Sequence, residues 1–512
     1  MPKILIKLAN HTNYEWMSFS FLLSYVFGKM PTLNLQLLLI LPIVAVIFMY
    51  WTSQKNLEKI AISFSKLIFV GSCTLALNFN YSEVGFQFFY TFTWLPFSNI
   101  HLTYGLDGIS ILFIPLTAFL ILVCVCMVNN SIKTRFQTFI VLLYFTEFFL
   151  FQAFSVLDLI FFYIFFEGIL IPMFLMIGIW GSRLRKIQAA YQFFLYTFFG
   201  SMFMLLSIIY IYNTIGTTDY ITLLYFNFPY EVQKILWLAF FISFAVKIPM
   251  VPFHTWLPEA HVEAPTAGSV LLAGVLLKLG TYGFIRFLIT LLPDASSYFL
   301  PLVFLLSLVS IVYTSLSTIR QIDLKKSIAY SSIAHMNLVV IGLFSLRITG
   351  MEGAILLMLS HGIVSPALFL CVGVLYDRYK TRLLSYYGGL STVMPIFSVL
   401  FLIFSIANMG FPGTSAFVGE FLILLGSFST NSLVSFFAST SVVLSAAYSI
   451  WLFNRIAFGP VNDFICSYSD LNKIEFIVLS SIATLVLIFG IFPNTILEYL
   501  HISCSFVLSF SS

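Results

Sequence analysis

Six residues able to hold a charge or pass a proton stand in stretches otherwise suited to a membrane interior. They are Glu167 in LIFFYIFFEGILIPMF, Lys247 closing ILWLAFFISFAVK and Lys278 in LLAGVLLKLGTYGF, with His335 in SSIAHMNLVVIG, His361 in MLSHGIVSPALF and Glu420 in GFPGTSAFVGEF. A charge at the centre of a bilayer costs roughly 2.5–3.5 kcal/mol on insertion scales, so such residues mark ion paths, proton relays or ion pairs. Burial disfavours the charged form of a carboxyl and of an ammonium alike, which makes both able to exchange a proton. A neutral imidazole accepts a proton on one nitrogen and releases one from the other. The chemistry these types can do together is proton transfer.

The stretch 247–278 organises the set. Pro249 and Pro252 follow Lys247, and a polar knot of His254, Glu259, His261 and Glu263 precedes the apolar run that carries Lys278. Proline removes a donor and clashes with the preceding turn, so the helix breaks here. Within a membrane a break is tolerated where it is buried in protein or lines a wet cavity. Glu167 needs a partner, and Lys247 is the expected one; the structural alternative is an ion pair that only joins two helices. For Lys278 the alternative is snorkelling to the interface, which its mid-span position opposes. A single histidine in an apolar helix is more often a satisfied core residue, but His335 and His361 occur in successive spans. Glu420 either ends the line or caps a broken helix. Glu147 and Asp158, bordering the fourth and fifth spans, are read as supporting charges. Side chains do not reach from one span to the next, so bound water is expected between the groups.

Composition sets the class. Of 512 residues, 60% are hydrophobic and 9% charged, against about 25% charged in soluble domains. Apolar runs repeatedly approach the length of about 20 residues that spans a bilayer. The chain is a polytopic, all-α membrane protein. Its net charge of +4 sits in short loops and implies no nucleic-acid partner. Cys73, Cys124, Cys126, Cys371, Cys466 and Cys504 are scattered and form no CxxC pair, so no metal or iron–sulfur ligand set is expected in this chain. No G-x-G-x-x-G, P-loop or H-E-x-x-H occurs. The N-terminus has neither a signal-peptide plan nor the composition of a transit peptide.

The hydropathy pattern gives about fourteen spans. They cover 33–51, 60–80, 106–129, 136–155, 157–179, 189–212, 233–250, 267–291, 299–318, 327–346, 352–376, 393–427, 433–457 and 474–492. Residues 1–30 are read as an interfacial extension, with a fifteenth span as the alternative. Residues 81–105 are aromatic and β-branched and predict a short hairpin. Basic residues collect after odd-numbered spans: Lys55, Lys59, Lys133, Arg135, Arg183, Arg185, Lys186, Arg320, Lys325, Lys326, Arg378, Lys380, Arg382, Arg455 and Lys473. The opposite side holds Lys3, Lys7, Lys29, Lys234, Arg286 and Arg347, and Lys66 joins Lys247 and Lys278 inside spans. The bias places the basic loops inside and both termini outside. The seventh span breaks at Lys247-Ile-Pro249, and the twelfth breaks between Ile406 and Glu420, among Gly410, Pro412 and Gly413. Two interrupted helices in corresponding positions point to inverted repeats with a site at the membrane midplane. The chain is read as one domain in four segments: 1–130, with spans 1–3; 131–292, with spans 4–8; 293–460, with spans 9–13; and 461–512.

Five segments carry a family resemblance. They are YGLDGISILFIPLT at 104–117, FYIFFEGILIPMFLMIGIWG at 162–181, KIPMVPFHTWLPEAHVEAPTAGSVLLAGVLLKLGTYGFIRF at 247–287, SIAYSSIAHMN at 327–337 and GFPGTSAFVGEF at 410–421. Together they resemble the chain 4 family of the proton-pumping NADH:ubiquinone oxidoreductase, respiratory complex I, over about residues 95 to 460, while the first 90 residues match poorly. The resemblance implies an antiporter-like subunit with two inverted five-helix repeats, spans 4–8 and 9–13. It puts the family's proton-transfer groups on Glu167, Lys247, Lys278, His335, His361 and Glu420. A glutamate at 420, where sister chains carry lysine, and the lack of a long lateral helix favour chain 4.

The family reading implies a mitochondrial inner-membrane location, with termini toward the intermembrane space and synthesis inside the organelle. The partners it implies are the other membrane-arm subunits, above all two sister antiporter-like chains, and membrane lipids. FMN, iron–sulfur clusters, NADH and ubiquinone are implied for the complex as a whole and none for this chain. The expected sequence of events runs from Glu167 and Lys247 to Lys278, then through His335 and His361 to Glu420. The rival readings are a subunit of a separate Na⁺/H⁺ antiporter and a passive scaffold between pump modules.

Overall fold

Apolar runs of bilayer length must satisfy their backbone groups internally, and helices do so within one segment. The computed structural model describes residues 31–95, 99–132, 134–461 and 469–510. The extension expected at 1–30 lies outside the described residues, as do Lys133 and Cys466. The helices are α1 (Pro31–Trp51), α2 (Gln54–Leu77), α3 (Ser110–Ser131), α4 (Phe136–Ser155), α5 (Leu159–Trp180, bent at Ile169) and α6 (Lys186–Ile215). Next come α7 (Tyr230–Lys247), α8 (Trp256–Glu263), α9 (Thr266–Ile289), α10 (Leu300–Arg320), α11 (Leu324–Phe344) and α12 (Ile348–Tyr379). The last are α13 (Pro395–Asn408), α14 (Ser415–Thr430), α15 (Ser432–Ala457), α16 (Lys473–Ile491) and α17 (Asn494–Ser509). Among the described residues, eleven helices are long and apolar enough to cross a membrane. The first expected span is shorter, with its apolar part at Leu35–Trp51. Helix α17 follows the last expected span and was not anticipated.

The expected hairpin is present. Strands β1 (Gln87–Leu95) and β2 (Ile100–Leu106) pair antiparallel, with Thr91 opposite Thr103 and Phe92 opposite Leu102. Phe92 and Trp94 are exposed, and the Trp94 ring meets Phe161 edge-on at 5.3 Å.

Both expected breaks are present too. Between α7 and α8 the chain turns through Pro249 and Pro252, and its polar backbone groups find partners: Trp256 Nε1 donates to Val246 O at 2.9 Å, Met250 N to Ala245 O at 2.9 Å and Val251 N to Ser310 Oγ at 2.9 Å. Irregular backbone inside a membrane protein requires such satisfaction. Between α13 and α14 the turn uses Gly410 at φ +70° and Gly413 at φ +91°, conformations that glycine adopts without a Cβ penalty.

Burial separates two kinds of helix. In α9, α11 and α12 the most apolar stretch is 100%, 94% and 100% buried, whereas in α2 and α16 it is 33% buried. The first three form the interior, and α12 packs on α9, α11, α13, α14, α16 and α17. Helices α12 and α14 approach closely because Gly419 faces Leu357; a Cβ there would stand 2.9 Å from the Leu357 backbone nitrogen. That approach brings the next residue, Glu420, against the interior.

Candidate functional site

The three interior helices carry Lys278, His335 and His361, and packing brings these together with Glu420 on α14. Lys278 is 0% exposed. It lies on α9 between two π-helical turns, Leu272–Leu276 and Phe284–Ile289; such turns disturb the regular carbonyl ladder and recur at functional sites. Its Nζ donates to Ala273 O at 2.5 Å and lies 2.8 Å from His361 Nδ1. The His361 and His335 rings are 5.9 Å apart between centroids. His335 Nδ1 stands 3.3 Å from Glu420 Oε1, and its Nε2 is 3.2 Å from the Tyr448 hydroxyl on α15. His361 Nε2 is buried without a protein hydrogen-bond partner.

This geometry corrects the expected sequence of groups. Chain order would place His335 before His361, but His361 is the one that touches Lys278, and His335 is the one that touches Glu420. The reason is packing: α12 lies directly against α9, and α11 lies against α14. Glu420 does not cap a helix; Thr414 occupies the N-cap position of α14, and the carboxylate turns inward.

The pair expected at the other end is looser. Glu167 on α5 is partly exposed, and among the described residues no ion pair joins it to Lys247. Lys247 Nζ instead approaches the neighbouring residue, 3.4 Å from Phe166 O and 4.0 Å from the Phe166 ring centre. The two residues remain neighbours, since Lys247 reaches the residue next to Glu167. Glu167 Oε1 is buried without a hydrogen-bond partner.

The two lesser carboxylates part company. Asp158 is the N-cap of α5, accepting from Ile160 N and Phe161 N and from Thr218 Oγ1 at 2.6 Å; its role is to cap and to tie down the loop before α7. Glu147 is 0% exposed, and neither carboxyl oxygen has a hydrogen-bond partner.

The polar knot is clamped from the basic loops. Lys325 Nζ donates to Ala264 O at 2.7 Å and Ser269 Oγ at 3.4 Å, Lys326 pairs with Glu259 at 2.8 Å, and Arg382 donates to Val262 O. Glu263 Oε2 accepts from Arg183 N at 3.1 Å. His261 stacks flat on Phe369 at 4.6 Å, and both its ring nitrogens lack partners. His254 packs edge-on against Tyr313 at 5.6 Å.

Sequence reasoning missed three of these features. Lys325 and Arg382 were read as loop charges, yet both are buried. Arg286 was counted on the outer side, yet it lies inside α9, ion-paired with Asp107 in the link between β2 and α3, and its Nε donates to Tyr282 Oη at 3.0 Å. Tyr448 was not singled out. A signal for it exists: Ser441, Ser445, Tyr448 and Ser449 repeat at helical spacing and share one buried polar face of α15.

The chain is similar to known proteins along most of its length. The family described as "NADH:quinone oxidoreductase/Mrp antiporter, TM" matches residues 156–445. The chain is 56% identical over 451 residues to NADH-ubiquinone oxidoreductase chain 4 of Chondrus crispus, covering 88% of this chain and 92% of that one. It is 54% identical over 476 residues to the chain 4 of Marchantia polymorpha, covering 92% and 96%. Among solved structures it superposes on a chain of respiratory complex I from Thermus thermophilus with a TM-score of 0.86 at 28% identity, covering 94% of this chain and 100% of that chain. A chain of the Mrp complex from Dietzia shares the fold, with a TM-score of 0.83 at 16% identity over 94% of this chain and 100% of that one. By family match, by identity along most of its length and by fold, the chain belongs to the NADH-ubiquinone oxidoreductase chain 4 family.

Proposed function

We propose that the chain is a proton-translocating core membrane subunit of NADH:ubiquinone oxidoreductase, seated in the mitochondrial inner membrane with both termini toward the intermembrane space. It assembles with the other membrane-arm subunits, including two sister antiporter-like chains, and with membrane lipids. NADH, ubiquinone, FMN and the iron–sulfur clusters act in other subunits. Two inverted repeats, spans 4–8 and 9–13, build the fold around the two broken helices.

The single observation that carries this reading is the buried line of neighbouring groups from Lys278 through His361 and His335 to Glu420. A shift of charge near Glu167 and Lys247 alters the cost of a charge on Lys278. One pKa unit corresponds to about 1.4 kcal/mol, and moving a charge by a few ångströms in low dielectric supplies that. Lys278 takes a proton from the basic side, by way of the polar knot at the first break, and passes it from Nζ to His361 Nδ1. His361 releases a proton from Nε2, and the spacing to His335 suits one bridging water. His335 passes its Nδ1 proton to Glu420, which releases it on the far side. Each imidazole enters and leaves the cycle neutral.

The test begins with mild-detergent extraction of native membranes, native electrophoresis and an in-gel NADH dehydrogenase stain. Co-migration with a stained band of megadalton class is the expected result. A smaller assembly without NADH activity would overturn the reading in favour of a separate antiporter, with sodium-dependent proton flux as the next assay.

A further inference from the structure

The line above leaves one buried polar group in direct contact with it unused. The Tyr448 hydroxyl lies 3.2 Å from His335 Nε2, and the residue is 3% exposed. His335 is therefore held at both nitrogens, by Glu420 at Nδ1 and by Tyr448 at Nε2. We infer that Tyr448 is a positioning residue for proton transfer, holding the His335 ring so that Nδ1 faces Glu420 and Nε2 serves as its receiving atom. This assignment rests on the relay reading and adds a residue to it.

The argument is one of donors and acceptors. A phenol both donates and accepts, whereas a carboxylate only accepts. Ionised Glu420 accordingly calls for a proton on Nδ1. A neutral imidazole then has only Nε2 left as an acceptor, and the Tyr448 O–H donates to it. The tautomer of a histidine is set by the bond its other nitrogen makes. When a proton arrives from the His361 side it enters at Nε2. The Tyr448 hydroxyl then rotates from donating to accepting, and the Nδ1 proton is free to move to Glu420. No bond to carbon, no electron and no cofactor is involved; the step ends with His335 as the Nε2–H tautomer donating to the Tyr448 oxygen, and it resets when the imidazole returns to the Nδ1–H form. With a phenylalanine at 448 Nε2 has no protein partner in either tautomer, the ring loses one of its two anchors, and transfer slows without stopping.

The Asn408 side chain bonds to the same hydroxyl, and the serines of α13 and α15 turn to backbone carbonyls instead. Ser445 donates to Val442 O at 2.9 Å, with Met409 O at 3.5 Å, and Ser449 donates to Ser445 O at 2.6 Å. Ser405 likewise donates to Leu402 O at 2.8 Å. Tyr448 reaches 113 positions along the chain to its partner.

The experiment compares Tyr448→Phe, Tyr448→His, Ser449→Ala and His335→Ala in the assembled complex. Quinone-linked, proton-pumping turnover is divided by NADH oxidation with an artificial acceptor, which corrects for the amount assembled. Tyr448→Phe is expected to lower the ratio about threefold to tenfold, the scale of one net hydrogen bond, and to displace the pH profile of turnover. Tyr448→His, which keeps a donor at that place, recovers part of the loss, and Ser449→Ala matches the parent. A Tyr448→Phe complex with the parent ratio and pH profile would overturn the assignment. If the phenylalanine variant fails to assemble, the histidine variant decides, and a parent pH profile there overturns it equally. His335→Ala separates the two levels of inference. If it too pumps normally, the relay reading has failed; if it alone is impaired, only the role of Tyr448 has.

Discussion

The interior cluster and the Glu167–Lys247 region contain the same kinds of group in opposite states of contact. Around Lys278 the donors and acceptors meet: Nζ with His361 Nδ1 at 2.8 Å, and His335 Nδ1 with Glu420 at 3.3 Å. Around Glu167 they do not, since Lys247 turns to Phe166 and one carboxyl oxygen is left buried without a partner. The helices explain the difference. Lys278, His335 and His361 ride on helices that show almost no surface, so their polar partners are other buried groups of the protein. Glu167 rides on α5, whose most apolar stretch is only 50% buried, and partial exposure leaves its carboxyl more than one place to go. A connected line suits passing a proton, and an unclosed pair suits changing its separation. In the proposed function the second is where a signal from elsewhere would act.

The comparison can be broken by mutation, and the largest effect belongs to the connected line. Lys278→Ala removes the group that would load His361 in the proposed relay and is expected to cut coupled turnover by about 100-fold or more, the scale of a lost general acid–base group. Lys278→Arg rescues it poorly, because a guanidinium hardly deprotonates. Normal pumping by Lys278→Ala complexes would dissolve the distinction between the two regions. The ion pair of Asp107 and Arg286 is expected to fail differently. Asp107→Ala strands a buried guanidinium at a cost of about 3–5 kcal/mol, so the yield of assembled complex on native gels falls while turnover per assembled complex holds. A drop in turnover at full assembly would show that this pair belongs to the transfer machinery.

A smaller effect is expected from the unclosed pair. Glu167→Gln leaves assembly intact and lowers coupled NADH oxidation by about tenfold, equal to roughly one pKa unit of lost influence on Lys278. Measured beside Lys278→Ala, it asks whether the first region modulates and the second transmits; equal losses would say both transmit. Smallest of all is Cys126→Ser on α3, where a half-buried thiol only packs. Turnover and assembly are expected to match the parent, and a large loss in either would give the scattered cysteines a role that their positions do not suggest.

Much of this molecule was legible along the chain. Glu167, Lys247, Lys278, His335, His361 and Glu420 stand out because a bilayer makes every ionisable residue costly, so composition alone exposes them. Both breaks could be read from proline and glycine, and the hairpin after α2 from its aromatic and β-branched run. Arg286 was misplaced because the positive-inside bias counts a charge without knowing that Asp107 neutralises it inside the protein. Tyr448 escaped because a tyrosine in an apolar helix is unremarkable until its neighbour is known.

What the sequence determined by itself is therefore local. It set which segments must be helices, where they cannot stay helical and which residues are expensive to bury, because these follow from the properties of one segment in one solvent. What only the tertiary structure decided is adjacency. The order Lys278, His361, His335, Glu420, the second hand on His335 and the unmade contact between Glu167 and Lys247 depend on which helix faces meet. Helical periodicity names a residue's face but never the helix opposite. Lys278 and His361 lie 83 positions apart in the chain and 2.8 Å apart in space, and only the packing of two fully buried helices brings them together.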